Sequence, residues 1–269
     1  MTKHILITGS TDGIGKLAAI QLAQEGHHVY LHGRSQQKLD TTISEVKNQS
    51  GNEKISGFVA DFSDLEQVKR MADEVSKLSK LDVLINNAGV YNSSTPTNTS
   101  GIDLRMVVNY LAPFALTKEL IPLLQQSEEP RVVNLGSAAQ SSVSLELLKG
   151  NQQSTEQQAY AQSKLALTMW SFYLAKELDD ISVIVVNPGS LLHTKMALEA
   201  FGNSWSSADK GAQILFDLAV SDNHQGITGK YFDNDQGNYG EAHPDAYNGT
   251  QIDRLISMTE QVLYQHLNM

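Results

Sequence analysis

His4-Ile5-Leu6-Ile7 is a short apolar run that breaks at once into Thr8-Gly9-Ser10-Thr11-Asp12-Gly13-Ile14-Gly15, and a helical pattern follows through Gln24. Strand, glycine turn and helix in that order gather backbone N–H groups and a helix N-terminus at one point, where the macrodipole favours a diphosphate. Each glycine keeps a Cβ out of a tight turn, out of the phosphate approach, or out of the helix–strand contact. The spacing is T-G-x-x-x-G-x-G rather than the G-x-G-x-x-G of the best-known dinucleotide fingerprint. Taken alone, the stretch is also compatible with an ordinary glycine-rich turn.

The alternation continues along the chain. Further strand-like runs lie at His28–Leu31, Ile55–Val59, Val83–Asn86, Arg131–Leu135, Val183–Asn187 and Ile227–Phe232. Helical periodicity fills the gaps, at Gln36–Asn48, Asp64–Leu78, Ile102–Leu124, Thr155–Leu178 and Ala208–Val220. Strict alternation with right-handed crossovers predicts an α/β, doubly wound fold: a seven-stranded parallel sheet with helices on both faces and ligands at the carboxyl ends of the strands. With 269 residues, 41% of them apolar, and no Pro- or Ser-rich linker, the expectation is a single domain. A formal charge of −10 argues against a nucleic-acid groove or an anionic membrane surface as partner. No apolar run is expected to reach the ~20 residues of a membrane span and no leader pattern is read at the start, so a cytoplasmic location is expected. The absence of Cys excludes disulfides, thiolate metal sites and a Cys nucleophile, and no metal site is expected.

Tyr160-Ala-Gln-Ser-Lys164 carries the chemistry. Residues at i and i+4 share a helix face, and a phenol that titrates near ~10 needs a neighbouring cation to shuttle protons at neutral pH. Tyr-x-x-x-Lys by itself is common, and a surface Tyr beside a solvated Lys is its plain alternative. Together with the glycine turn it makes the chain resemble the short-chain dehydrogenase/reductase family, from about residue 3 to about residue 232. Asn86-Asn87-Ala88-Gly89 is similar to that family's N-N-A-G element. Asp61 after the third strand, Asn109 in the helix after N-N-A-G, Ser137 at a strand end and Pro188-Gly189 after the sixth strand fall in the family order.

The resemblance implies hydride transfer between a nicotinamide and a carbon bearing oxygen. Tyr160 would be the general acid/base, Lys164 would lower its pKa and hold the nicotinamide ribose, and Ser137 would hydrogen-bond the substrate oxygen. Asn109 would hold a water through its main-chain carbonyl. The cofactor would rest on Gly9, Ser10, Thr11, Gly13, Ile14 and Gly15, on Asp61 and Phe62 at the adenine, on Asn87, Ala88 and Gly89 behind the ribose, and on Tyr160, Lys164, Pro188, Gly189 and Thr194 at the nicotinamide. At the end of the second strand Gly33 stands where NAD-linked members carry an Asp, and Arg34 and Ser35 follow, with Lys38 nearby. Guanidinium suits a 2′-phosphate, so NADP(H) is expected over NAD(H), although Asp12 stands where some NADP-linked relatives are basic.

Pro113, four residues after Asn109, has no N–H to give the Asn109 carbonyl, a physical reason for a free acceptor there. Ser137 and Tyr160 are 23 positions apart, about ten more than the commonest family spacing, which marks residues 140–158 as an insert. That insert, with Gly229-Lys-Tyr-Phe232, resembles the retinol-dehydrogenase-like and protochlorophyllide-reductase-like branch. Residues 190–205 resemble a substrate lid, in which Leu191, Leu192, Met196 and Phe201 suggest an apolar pocket for a small-molecule carbonyl or alcohol; His193 is read as incidental. Leu165, Leu167, Met169, Trp170, Phe172, Tyr173 and Leu174 make the Tyr160 helix apolar on more than one side, so a second subunit, in a homodimer or homotetramer, is expected to cover one face. An alternative from another class is a nucleotide-sensing protein on the same fold that has lost turnover.

Overall fold

The computed structural model describes residues 1–267, apart from the Phe201 side chain, whose expected pocket role therefore lies outside the described residues. Eight strands form one sheet: β1 His4–Ile7, β2 His28–Gly33, β3 Ile55–Val59, β4 Val83–Asn86, β5 Arg131–Leu135, β6 Ser182–Asn187, β7 Lys230–Asp233 and β8 Asn238–Gly240. Their order is β3-β2-β1-β4-β5-β6-β7-β8. The chain winds outward from β1 to β3, then returns to place β4 beside β1, with Ile5 opposite Val83 and Ile7 opposite Ile85. This reversal opens a crevice at the carboxyl ends of β1 and β4. The first seven strands run parallel, and β8 is antiparallel to β7. The expected seven strands are thus eight; three residues closing a hairpin are too short to show a period.

Strands buried on both faces read as nearly unbroken apolar runs. Ile5, Ile7, Leu31, Val83, Ile85, Val133 and Val186 pack against α1 Gly13–Gln24, α2 Gln36–Ser50 and a helix at Ala208–Val220. Leu6, Leu84, Val132, Val183 and Val185 point the other way. They meet α3 Leu65–Val75 and the long central helices. Side-chain caps start the helices, among them Asp12, Ser35, Asp64 and Thr155.

The helix expected at Ile102–Leu124 is three segments: α4 Leu104–Met106, a π-turn Val107–Leu111 and α5 Ala112–Leu124. Ala112 N–H reaches back five residues to the Val107 carbonyl, just before Pro113, which has no N–H to donate. The run Leu104–Leu124 also corrects the expectation about apolar length. It is 21 residues long and contains an 18-residue window of mean hydropathy 1.2, enough by length and composition to cross a membrane, and 72% of that window is buried inside the chain's own fold. The remaining helices are α6 Leu145–Leu148, α7 Glu156–Glu177, α8 Lys195–Phe201, α9 Ala208–Val220 and α10 Gly249–Leu267.

The second apolar face of α7 is covered from within. Phe172 meets Tyr247 of the 3₁₀ turn Pro244–Tyr247 at 5.3 Å between rings, and α10 buries Ile252, Leu255, Ile256, Val262 and Leu263 in the same core. Tyr110 and Thr259 share a buried hydrogen bond of 2.6 Å. The chain's own C-terminal segment thus packs on the α7 residues from which a partner subunit was expected.

Candidate active site

A cleft of about 1470 Å³ runs along the carboxyl ends of the strands. At its centre the glycine turn is locked to the segment after β4. Thr8 Oγ1 accepts the N–H groups of Asn87 and Ala88, both at 3.0 Å, and Asn87 Nδ2 donates to the carbonyls of Thr8 and Gly9 at 2.8 and 2.9 Å. Gly9 (φ +63°) has no room for a side chain, because a Cβ would lie 2.7 Å from Ala88 Cα. At Gly15 a Cβ would lie 2.4 Å from Asn87 Nδ2. Gly13 (φ +54°) differs: only Thr194 Cγ2 comes near, at 3.8 Å, so its outer face opens on the cleft. Backbone approach without a Cβ, ahead of a 12-residue helix, fits a diphosphate.

Gly9, Gly13, Ile14, Gly15, Arg34, Asp61, Phe62, Asn87, Ala88, Gly89, Ser137, Tyr160, Lys164, Pro188, Gly189 and Thr194, all expected in the site, line this one cleft. Ser10, Thr11, Ser35 and the buried Asn109 do not. Ser10 is fully buried, donating its hydroxyl to the Ile7 carbonyl and its N–H to the His32 carbonyl. Thr11 fills the space over Gly33, where a Cβ would sit 2.5 Å from Thr11 Cγ2. Ser35 caps α2 by accepting from Lys38 N–H. Ser10, Thr11 and Ser35 support the cradle from behind. Asp12 is fixed as well: it accepts from Gly13 N–H at 2.8 Å and from Lys38 Nζ at 2.7 Å, which holds its carboxyl below the usual range.

At the catalytic end, Ser137 leaves β5 and Tyr160 rises from the first turns of α7. The Ser137 side chain hydrogen-bonds the phenol and also accepts from Ala139 N–H at 3.1 Å. Burial raises the phenol's pKa, the Ser137 hydrogen bond opposes that, and Tyr91, whose ring lies 4.9 Å away, adds to it. The expected lowering by Lys164 is not seen. Its ammonium lies 5.6 Å from the phenol ring centre and donates to the Leu135 carbonyl at 2.7 Å instead of reaching the hydroxyl. Desolvation lowers Lys164 itself to about 8.

The Asn109 side chain is fully engaged. It accepts from Val90 N–H at 2.8 Å and donates to the Val90 carbonyl and to Ser163 Oγ, each at 3.0 Å, while Ser163 donates to the Tyr160 carbonyl at 2.7 Å. Ser163 was not anticipated, though its place between Tyr160 and Lys164 was a signal. Nor were Asp233, at the end of β7, and Asp235, in the β7–β8 turn, which accept from Asn187 Nδ2. Asp235 also holds Ser190, next to Leu191 at φ +47°, the one non-glycine left-handed residue among those described. Thr194 caps α8, Leu191 and Met196 line the cleft, and His193 turns away to Ser204.

Residues 3–204 match the family model for short chain dehydrogenases. Retinol dehydrogenase 12 of Mus musculus is 32% identical over 243 residues, 86% of this chain and 77% of the relative. A solved structure from Mycobacterium paratuberculosis superposes with a TM-score of 0.79 at 26% identity, covering 97% of this chain and 92% of the other. A short chain dehydrogenase from Shigella flexneri 2a complexed with NADP gives a TM-score of 0.69 at 29% identity, over 86% and 96% of the two chains. The chain belongs to the short-chain dehydrogenase family, in its retinol-dehydrogenase-like branch. It is an oxidoreductase built for a nicotinamide cofactor.

Proposed function

We propose that the chain is an NADP(H)-dependent reductase of an apolar carbonyl compound, or dehydrogenase of the corresponding alcohol. The convergence of Ser137, Tyr160 and Lys164 at the end of β5, in the same cleft as the glycine turn, carries this reading. The nicotinamide would supply or accept a hydride. Tyr160, its pKa raised, stays protonated across neutral pH and can give its proton to the substrate oxygen, which the Ser137 hydroxyl also contacts. Lys164, charged below about pH 8, would hold the ribose and favour the phenolate left behind. Leu104, Val108, Leu191 and Met196 give the far end of the cleft apolar walls.

Preference for the 2′-phosphate rests on Gly33 and Arg34. A side chain at 33 would have to displace Thr11, whose Cγ2 would lie 2.5 Å from its Cβ, and Gly33 offers no carboxylate to repel a 2′-phosphate, while Arg34 and Lys38 line the cleft. A screen of aldehydes and ketones, followed by loss of reduced-nicotinamide absorbance, should show turnover with NADPH well above that with NADH. Arg34→Ala should weaken NADPH binding by roughly 10- to 150-fold and NADH little, the loss of a charge-assisted contact of ~1.5–3 kcal/mol. Equal losses for both cofactors would make Arg34 a loop support, and NADPH binding without any turnover would favour a sensor.

A further inference from the structure

His32 is the second-last residue of β2, buried with 3% exposure, yet its side chain lines the cleft. Its Nε2 lies 3.0 Å from the Ala60 carbonyl and its Nδ1 lies 3.0 Å from Gly9 N. A carbonyl oxygen only accepts, so Nε2 carries the proton; Nδ1 is then the acceptor that the Gly9 N–H requires. The two bonds fix the tautomer and tie the first amide of the glycine turn to the end of β3. The ring stacks on Phe62 at 4.2 Å, and Phe62 with Asp61 forms the wall beyond β3. Two residues further along the chain, just past β2, stands Arg34. Burial keeps the imidazole neutral, its pKa pushed down to about 4.

We propose that His32 is a positioning residue for the adenosine half of the cofactor, setting the glycine turn and the Asp61–Phe62 wall relative to each other through one neutral ring. The proposal rests on the dinucleotide reading above. Without the ring, Gly9 N–H loses its buried acceptor and Phe62 its stacking partner, and both surfaces are freed to shift independently. His32→Asn keeps an acceptor where Nδ1 stands, and His32→Gln extends a donor toward Ala60.

The test is calorimetric binding of NADPH and of adenosine 2′,5′-bisphosphate to the full-length protein, with steady-state kinetics and thermal unfolding alongside. His32→Ala should weaken both ligands by a similar factor, roughly 10- to 100-fold, and raise the KM for NADPH while leaving kcat at saturation within about 3-fold. His32→Asn should recover part of the affinity. If the Ala variant does not fold, the Asn and Gln variants carry the comparison, each expected about 3- to 30-fold weaker than the original chain. Folded variants with unchanged affinity for both ligands, or a loss confined to kcat, would overturn the proposal and leave His32 as core packing. Failure of the unsubstituted chain to bind any nicotinamide dinucleotide would overturn the underlying reading as well.

Discussion

A buried ammonium with one carbonyl for company is poorly solvated, and Lys164 shows the consequence: its pKa falls from 10.5 to about 8. If its charge is needed for turnover, kcat/KM for carbonyl reduction, which reports the free protein's groups, should fall as pH rises through about 8. Ordinary lysine or phenol chemistry would place that limb near ~10. A pH–rate profile flat to pH ~10 would remove the charge from the account. Stability moves the other way: between the folded value and 10.5 the unfolded chain holds more protons, so the folded state gains as pH rises from about 8. The Tyr–Lys pair itself was plain from its spacing, but the pKa direction was not. Helix spacing puts two side chains on one face and says nothing of a third partner such as Leu135 O, which comes from a strand 29 residues earlier.

Among the elements, the π-turn at Val107–Leu111 and Pro113 act together. Pro113→Ala restores an N–H that can close onto the Asn109 carbonyl, and Ala favours a regular helix by up to ~3 kcal/mol over Pro. The expected result is lower turnover with a Tm equal or higher; turnover unchanged would leave Pro113 as an ordinary helix feature. The C-terminal α10 seals the core through Leu255, 1% exposed. Leu255→Ala should cost about 2–5 kcal/mol of stability by denaturant unfolding, and a loss below ~1 kcal/mol would show that α10 docks loosely. The strands β1 to β6 were legible because a parallel sheet buries both faces and turns strands into apolar runs. Ile252, Leu255, Ile256, Thr259, Val262 and Leu263 form a regular stripe on α10 that could have been read and was not. The insert's α6 is four residues, too short for a period, though Leu147 and Leu148 are fully buried.

For the molecule as a whole, the sheet reversal between β1 and β4 creates the crevice, the glycine turn builds one wall of it, and α10 closes the core behind α7. Order of motifs made this architecture readable, since the glycine turn, Asp61, Asn87–Gly89, Ser137 and Pro188–Gly189 each follow the carboxyl end of a strand. The supporting roles of Ser10, Thr11, His32 and Asp235 were hidden because the partners that define them, such as His32 N–H on Ser10 Oγ, come from distant strands and turns. In the proposed reaction this cleft reduces a carbonyl with Tyr160 as proton donor. Its most direct test is single-turnover reduction of a good substrate by Tyr160→Phe beside the unsubstituted chain, with NADPH affinity measured on both. The account predicts a rate lower by at least ~10²-fold at nearly unchanged NADPH affinity. A Phe variant that reduces the substrate at the original rate would contradict it.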